Sequence, residues 1–241
     1  MILKIEKELK MFSLSKIQCF EQCPLKYRLK YIDKVETERN SACKKGSSVH
    51  HIFENLDILE TFRNPENEDA LKVVDKFLES DIGKEFMPII KNAQKEVKIG
   101  LNKGEGTLVP CDYSRNCLFG GIIDLLNGNH ILDYKTGKSK TYDEQDWSQL
   151  TWYAIWLFLA SDYEEVKITY IYVEHNKENT KVLKRSDLNS MMIDMLSRFK
   201  NVKQFEENPT DKHCKSYLCD WCECKKHCPF YIDNALNINT L

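Results

Sequence analysis

The chain has 241 residues, a formal net charge of −2, and 42% hydrophobic against 30% charged residues. That is enough chain for one large core, or a core with a lobe, and too little net charge for bulk attraction alone to announce a nucleic-acid partner. The opening segment MILKIEKELKMF mixes charged with apolar residues, and the longest apolar run, around Tyr153 to Ala160, is too short to cross a bilayer. A soluble cytoplasmic protein is the expectation, its ten cysteines pointing to reduced thiols, metal or redox chemistry rather than a disulfide framework.

Charge is uneven along the chain. Residues 1–50 carry eleven Lys and Arg against six Asp and Glu, with Tyr27 and Tyr31 interleaved among Lys26, Arg28 and Lys30. This pattern suits phosphate contact and base stacking, and equally suits a solvated helix face with core tyrosines. Ser15 and Gln18 form a capping box opening a helix, which Pro24 interrupts directly after Cys23 before a second helical run. A charged connector, Asp33 to Lys45, leads to GSSVHHIFENL, read as a helix beginning near Ser47 or Ser48 with His50 in its first turns. Helical patterns continue through Leu71–Leu78 and Phe86–Ile99.

The middle of the chain reads as β. Strands are expected near Thr107–Cys111, Leu118–Leu126 and His130–Tyr134, followed by a helix from about Glu144 to Ala160. A strand at Val166–Val173, its partner at Thr180–Leu183 and a helix over Leu188–Phe205 complete the pattern. This order predicts an α/β fold with a mixed central sheet flanked by helices.

One stretch of the sheet carries chemistry. In GGIIDLLNGNHILDYKTGK, Asn127-Gly128-Asn129 supplies a tight hairpin turn, which brings Asp124 near Asp133 across the ladder. Residues i and i+2 of a strand share a face, so Asp133 and Lys135 project together while Tyr134 points away. Two carboxylates in otherwise apolar strands call for a partner, either a divalent cation or the lysine itself as a structural ion pair. In the following helix Gln149 and Tyr153 lie on one face, beside a stripe with Trp152 and Trp156.

The C-terminal tail crowds Cys214, Cys219, Cys222, Cys224 and Cys228 together, with Cys19 and Cys23 far upstream. Local spacing allows a tetrahedral zinc site using Cys214, Cys219, Cys222 and Cys228. It allows equally an iron-sulfur site that includes Cys23, which, like Cys228, precedes a proline.

Taken in order, SLSKIQCFEQCPLKYRLKY, GSSVHHIFE, GGIID, DYKTGK, QLTWY and the tail CDWCECKKHCP resemble the PD-(D/E)XK nuclease superfamily. The similarity is closer to its RecB-like iron-sulfur branch, which includes the CRISPR-associated exonucleases called Cas-four. The resemblance implies a restriction-endonuclease-like core. It implies that His50, Asp124 and Asp133, with the Tyr134 carbonyl, bind Mg2+ or Mn2+, that Lys135 orients or activates the attacking water, and that Gln149 and Tyr153 support the site or the DNA. His51 is the rival histidine. A 4Fe-4S cluster on Cys23, Cys219, Cys222 and Cys228 is implied as well.

By this reading residues 1–241 form a single nuclease domain, with 13–35 and 205–235 together as an iron-sulfur lobe, 46–105 as a helical insertion and 106–184 as the catalytic sheet core. The function implied is a metal-dependent DNA exonuclease on single-stranded or frayed ends, with endonuclease activity alongside it. CRISPR spacer processing, or phage or cellular recombination and repair, is its setting, with a CRISPR integrase or recombination proteins as partners. Two alternatives are a non-catalytic DNA-end binding adaptor and a zinc-containing structural module.

Overall fold

The computed structural model describes residues 11–37, 41–114 and 116–231, with side chains from residue 44 onward in the helix that begins at Ser41. The described residues divide into two compact units, one within 11–14 and 44–193 and the other within 15–43 and 194–231.

The first unit is built on a six-stranded mixed sheet. Its strands are β1 (Gln94–Lys103), β2 (Leu108–Cys111), β3 (Phe119–Asn127), β4 (His130–Lys135), β5 (Glu165–Tyr172) and β6 (Lys177–Lys184), in the spatial order β2-β1-β3-β4-β5-β6. All neighbours are antiparallel except β4 and β5, which run parallel with Asp133 opposite Tyr170. A parallel pair needs a crossover. Here it is α6 (Ser148–Ala160), apolar nearly all round and buried at Leu150, Trp152, Tyr153, Ala154, Ile155, Leu157 and Phe158. The antiparallel β3–β4 turn depends on Gly128, which sits at φ +59° where a side chain would be strained.

Three further helices, α3 (Ser41–Glu54), α4 (Glu68–Glu79) and α5 (Asp81–Asn92), bury their apolar stripes in one cluster. In it Val49, Ile52, Phe53, Val74, Phe77, Phe86 and Ile90 pack with Leu125, Leu132, Tyr134, Ile171 and Val173 of the sheet region. Leu132 and Tyr134 of β4 therefore serve this core, and the alternate residues Asp133 and Lys135 are left to meet α6.

Two expectations differ from the structure here. The helix carrying His50 starts at Ser41 rather than near Ser47, since Ala42, Lys44 and Lys45 are good helix formers. The segment expected to stay helical through Ile99 breaks after Asn92 and becomes β1, so the 46–105 region is not wholly helical. Val97, Ile99 and Leu101 alternate with a period of two, and pairing with both β2 and β3 overrides the local helical preference.

In the second unit, α1 (Leu14–Gln22, from Ser15 on) and α2 (Pro24–Tyr27, continued as a π-helical turn over Arg28–Ile32) join residues 194 onward of α7 (Leu188–Glu207). The first helix begins at Leu14, so Ser15 lies within its first turn rather than capping it. Phe20, Tyr27 and Phe205 form an aromatic core, and the Tyr27 hydroxyl donates to Glu206 Oε1 at 2.6 Å.

This overturns the base-stacking reading of Tyr27, which is 1% exposed. The basic residues around it are paired too: Lys30 and Lys26 with Glu223, and Arg28 with Asp33 and Asp211. No helix among the described residues is long and apolar enough to cross a membrane.

Candidate active site

Strand alternation and one helix assemble the site. Asp133, 2% exposed, projects from β4 beneath α6, where Gln149 Nε2 donates to its Oδ1 at 2.9 Å. Two residues on, Lys135 Nζ lies 2.7 Å from Asp133 Oδ2 and donates to Gln149 Oε1 at 3.0 Å. The Gln149 amide thus clasps both members of the Asp-x-Lys pair, presenting its donor to the acid and its acceptor to the ammonium. Gln149 also donates to Tyr153 Oη at 3.3 Å, one helical turn along the same face. The Lys135 ammonium stands 5.0 Å over the ring of Tyr170, the residue opposite Asp133 on β5.

Asp124 joins from β3. Its Oδ2 accepts from the Tyr134 backbone N–H at 3.1 Å and faces His50 Nδ1 at 3.2 Å. The tyrosine ring turns into the core, stacked on Phe53 with centroids 4.2 Å apart. His50 is held edge-on to that ring at 5.9 Å. His51 points elsewhere, to Glu54 and Asn55.

The electrostatics follow from burial and crowding. Burial pushes the Asp133 carboxyl up to about 6, and the nearby Asp124 charge adds to this, against the opposing pull of Lys135 and His50. For His50, burial favours the neutral ring, but the hydrogen bond and charge of Asp124 outweigh it and its pKa is raised.

Sequence reasoning missed two neighbours. Glu96 falls at the register position facing Asp124, between the paired rows Lys95–Leu125 and Val97–Ile123, and holds φ +52°. Burial, with Asp124 and Glu54 nearby, raises its pKa. Reading 86–99 as helix hid this acid, although the strand period of QKEVKIGL would have exposed it. Tyr170 carried no signal beyond its place in an apolar strand.

The donor set suits a hard divalent cation: carboxylate oxygens, one imidazole, and Asp133 Oδ2, which is buried and accepts no well-aligned hydrogen bond despite the nearby ammonium. Among the described residues, no three His, Cys, Asp or Glu side chains are gathered as a preformed metal cage. Each acid instead faces its own nitrogen partner, Lys135 Nζ on Asp133 and His50 Nδ1 on Asp124.

The second unit holds a cavity of about 750 Å³ whose lining includes Cys23, Cys214, Cys219, Cys222, Cys224 and Cys228. Cys23, Cys222 and Cys228 pack together around Leu25, Leu29 and the buried Cys224, and neither Cys214 nor Cys219 is among them. A hydrogen bond with Cys224 lowers the Cys222 thiol pKa.

A profile of the PD-(D/E)XK nuclease superfamily matches residues 11–229. No curated protein matches the chain. Among solved structures, a provisionally named exonuclease from Eubacterium rectale is similar with a TM-score of 0.53 at 14% identity, covering 92% of each chain. A protein designated SSO0001 aligns with a TM-score of 0.42 at 15% identity, covering 94% of this chain and 89% of its own.

Proposed function

The chain belongs to the PD-(D/E)XK nuclease superfamily, enzymes that hydrolyse phosphodiester bonds, and on that premise we propose that it is a metal-dependent DNA exonuclease acting on single-stranded or frayed ends. The observation that carries this reading is the Gln149 clasp on Asp133 and Lys135, with the His50–Asp124 pair joined to the same strand through the Tyr134 N–H. An apolar strand end has no structural need for so many polar groups in one place.

His50, Asp124, Asp133 and the Tyr134 carbonyl would hold Mg2+ or Mn2+. When bound, the cation neutralises phosphate charge and lowers the pKa of attacking water. The protein's own groups do the positioning. Asp133 and Asp124 present acceptor oxygens from adjacent strands. Lys135, released from Asp133, carries three donors toward the scissile phosphate or the water, and Gln149, itself bonded to Tyr153, holds the ammonium in place. The name of the Eubacterium rectale protein agrees with exonuclease action.

The cysteines belong to the same proposal. Cys23, Cys219, Cys222 and Cys228 line one cavity and would ligate a 4Fe-4S cluster as thiolates, making 13–35 and 205–231 an iron-sulfur lobe, residues 232–235 of the expected range lying outside the described residues. A cluster of four irons spans more space than a single ion, so its ligand sulfurs need not touch one another. A reducing cytoplasm, and a setting in CRISPR spacer processing or in recombination and repair, accord with free thiols and an end-consuming nuclease.

The test is digestion of end-labelled DNA by anaerobically purified protein, with and without manganese. Expected is metal-dependent release of short products from single-stranded ends. Binding without cleavage under every metal condition would leave the adaptor reading instead.

A further inference from the structure

The connection from β4 to α6 raises an aromatic ring on a firm base. Residues 136–147 follow Lys135 directly and end at Trp147, the residue before α6. Main-chain and side-chain bonds pin this connection to the neighbouring strands. The Lys140 carbonyl accepts from Lys177 Nζ at 2.8 Å and Asn179 Nδ2 at 3.0 Å, and Gln145 Oε1 accepts from the Tyr172 hydroxyl at 2.5 Å. Within it Thr141 and Glu144 cap each other, the threonine N–H and hydroxyl both donating to the Glu144 carboxylate at 3.1 and 2.9 Å.

On that base Tyr142 is 49% exposed. Its ring lies 5.2 Å from Trp147, Trp147 lies 5.8 Å from Tyr170, and Tyr170 lies under the Lys135 ammonium at 5.0 Å. Lys181 Nζ stands 5.9 Å from the Trp147 ring. A chain of rings therefore runs from the lysine of the site to the surface.

An exposed aromatic on a loose loop needs no explanation. One fixed by capping bonds, and abutted by further rings that lead to the site, has the form of a stacking platform. We propose that Tyr142, backed by Trp147, stacks on an unpaired base of the nucleic-acid strand near the phosphate that Lys135 addresses, with Lys181 supplying charge to its backbone.

A base inside a duplex is already stacked on both faces, so the platform favours single strands and frayed ends over blunt duplex. The proposal rests on the nuclease reading for its location, although its binding arm does not depend on cleavage.

The experiment compares wild type with Tyr142→Ala and Tyr142→Phe, using a fluorescent single-stranded oligonucleotide and the matching blunt duplex. Binding is read by anisotropy and tryptophan quenching with chelator present, and steady-state cleavage with manganese. Tyr142→Ala should bind the single strand about 5- to 150-fold more weakly and raise KM with kcat retained, while duplex binding stays near wild type. Tyr142→Phe should keep the platform.

Equal losses on single strand and duplex, or no loss on either, would overturn the proposal. So would a wild type that binds neither. A wild type that binds single strands through Tyr142 yet cleaves nothing would remove the nuclease reading and leave the platform standing.

Discussion

Gly121 of β3 lies against the ring of Tyr153 on α6, and a Cβ on the glycine would come within 2.6 Å of Tyr153 Cε1. The second glycine of GGIID thus makes room for the tyrosine that Gln149 touches. Gly121→Ala should push that ring aside, cost about 1–3 kcal/mol of stability and slow cleavage by disturbing Gln149. In a Tyr153→Leu background the same substitution should cost clearly less, because the clashing ring is gone. Urea unfolding of the four proteins of this cycle checks it, and equal costs in both backgrounds would show that the strain lies elsewhere.

The site residues should divide sharply by substitution. Asp124→Ala, Asp133→Ala and Lys135→Ala are each expected to abolish cleavage with an unchanged circular dichroism spectrum. His50→Ala should cripple activity, whereas His51→Ala, whose parent ring is bound up with Glu54 and Asn55, should be mild. Gln149→Ala frees Lys135 from one partner and should reduce kcat without abolishing it. Retained cleavage in either aspartate variant would discard the assignment.

Asp133 also makes a pH prediction. Its pKa rises from 3.8 to about 6 in the folded protein, so between those values the native state keeps a proton that the unfolded chain has released. The stability from this group is present below about pH 4 and is lost as pH climbs through about 6, on the order of 3 kcal/mol in all. In metal-free protein, wild type should therefore lose ground to Asp133→Asn as pH goes from 4 to 7.5. The difference between the two unfolding free energies reads Asp133 together with its charge coupling to Asp124, Lys135 and His50, and a flat difference would contradict it.

Metal should reverse that penalty. Manganese added to chelator-treated wild type at pH 7.5 should raise its unfolding free energy, by about 2.7 kcal/mol at a hundredfold excess over Kd, and the gain should vanish in Asp133→Asn. Exhaustive chelation should stop cleavage, and magnesium or manganese should restore it. Full activity in metal-free buffer is the contrary result.

Much of this arrangement was legible in the chain because it rests on short-range rules. The two-residue strand period put Asp133 and Lys135 on one face, Asn-Gly-Asn fixed the hairpin beside them, and the four-residue helix spacing aligned Gln149 with Tyr153. What stayed hidden depends on partners distant in sequence. QKEVKIGL is a strand only because β2 and β3 lie on either side of it, so Glu96 went unseen opposite Asp124. Tyr27 looks like a stacking residue among lysines until Glu206, far along the chain, takes its hydroxyl. Tyr142 carries no motif, and its meaning comes from the rings of Trp147 and Tyr170, brought together by the crossover.

Cys23 separates the iron-sulfur proposal from a local zinc site more sharply than any other residue. Both use the tail thiols, and both ligand sets line the same cavity. Cys23 packs with Cys222 and Cys228 around Leu25 and Leu29, whereas Cys214 is exposed and lies outside that cluster, as does the half-buried Cys219. Thiolates close to one another repel unless a cation binds them, so a cluster that includes Cys23 would tie residues 23 and 219–228 into one unit. Anaerobically purified wild type should then be brown, with broad visible absorbance. Cys23→Ala should lose colour, iron and thermal stability together, and Cys214→Ala should keep all three. In a zinc site the outcomes exchange, because Cys214 closes the tetrahedron and Cys23 is only a packed thiol. Cleavage is a weaker readout, since His50, Asp124 and Asp133 belong to the other unit. A colourless wild type with stoichiometric zinc and no iron, prepared without oxygen, would end the cluster assignment and leave the nuclease site as it stands.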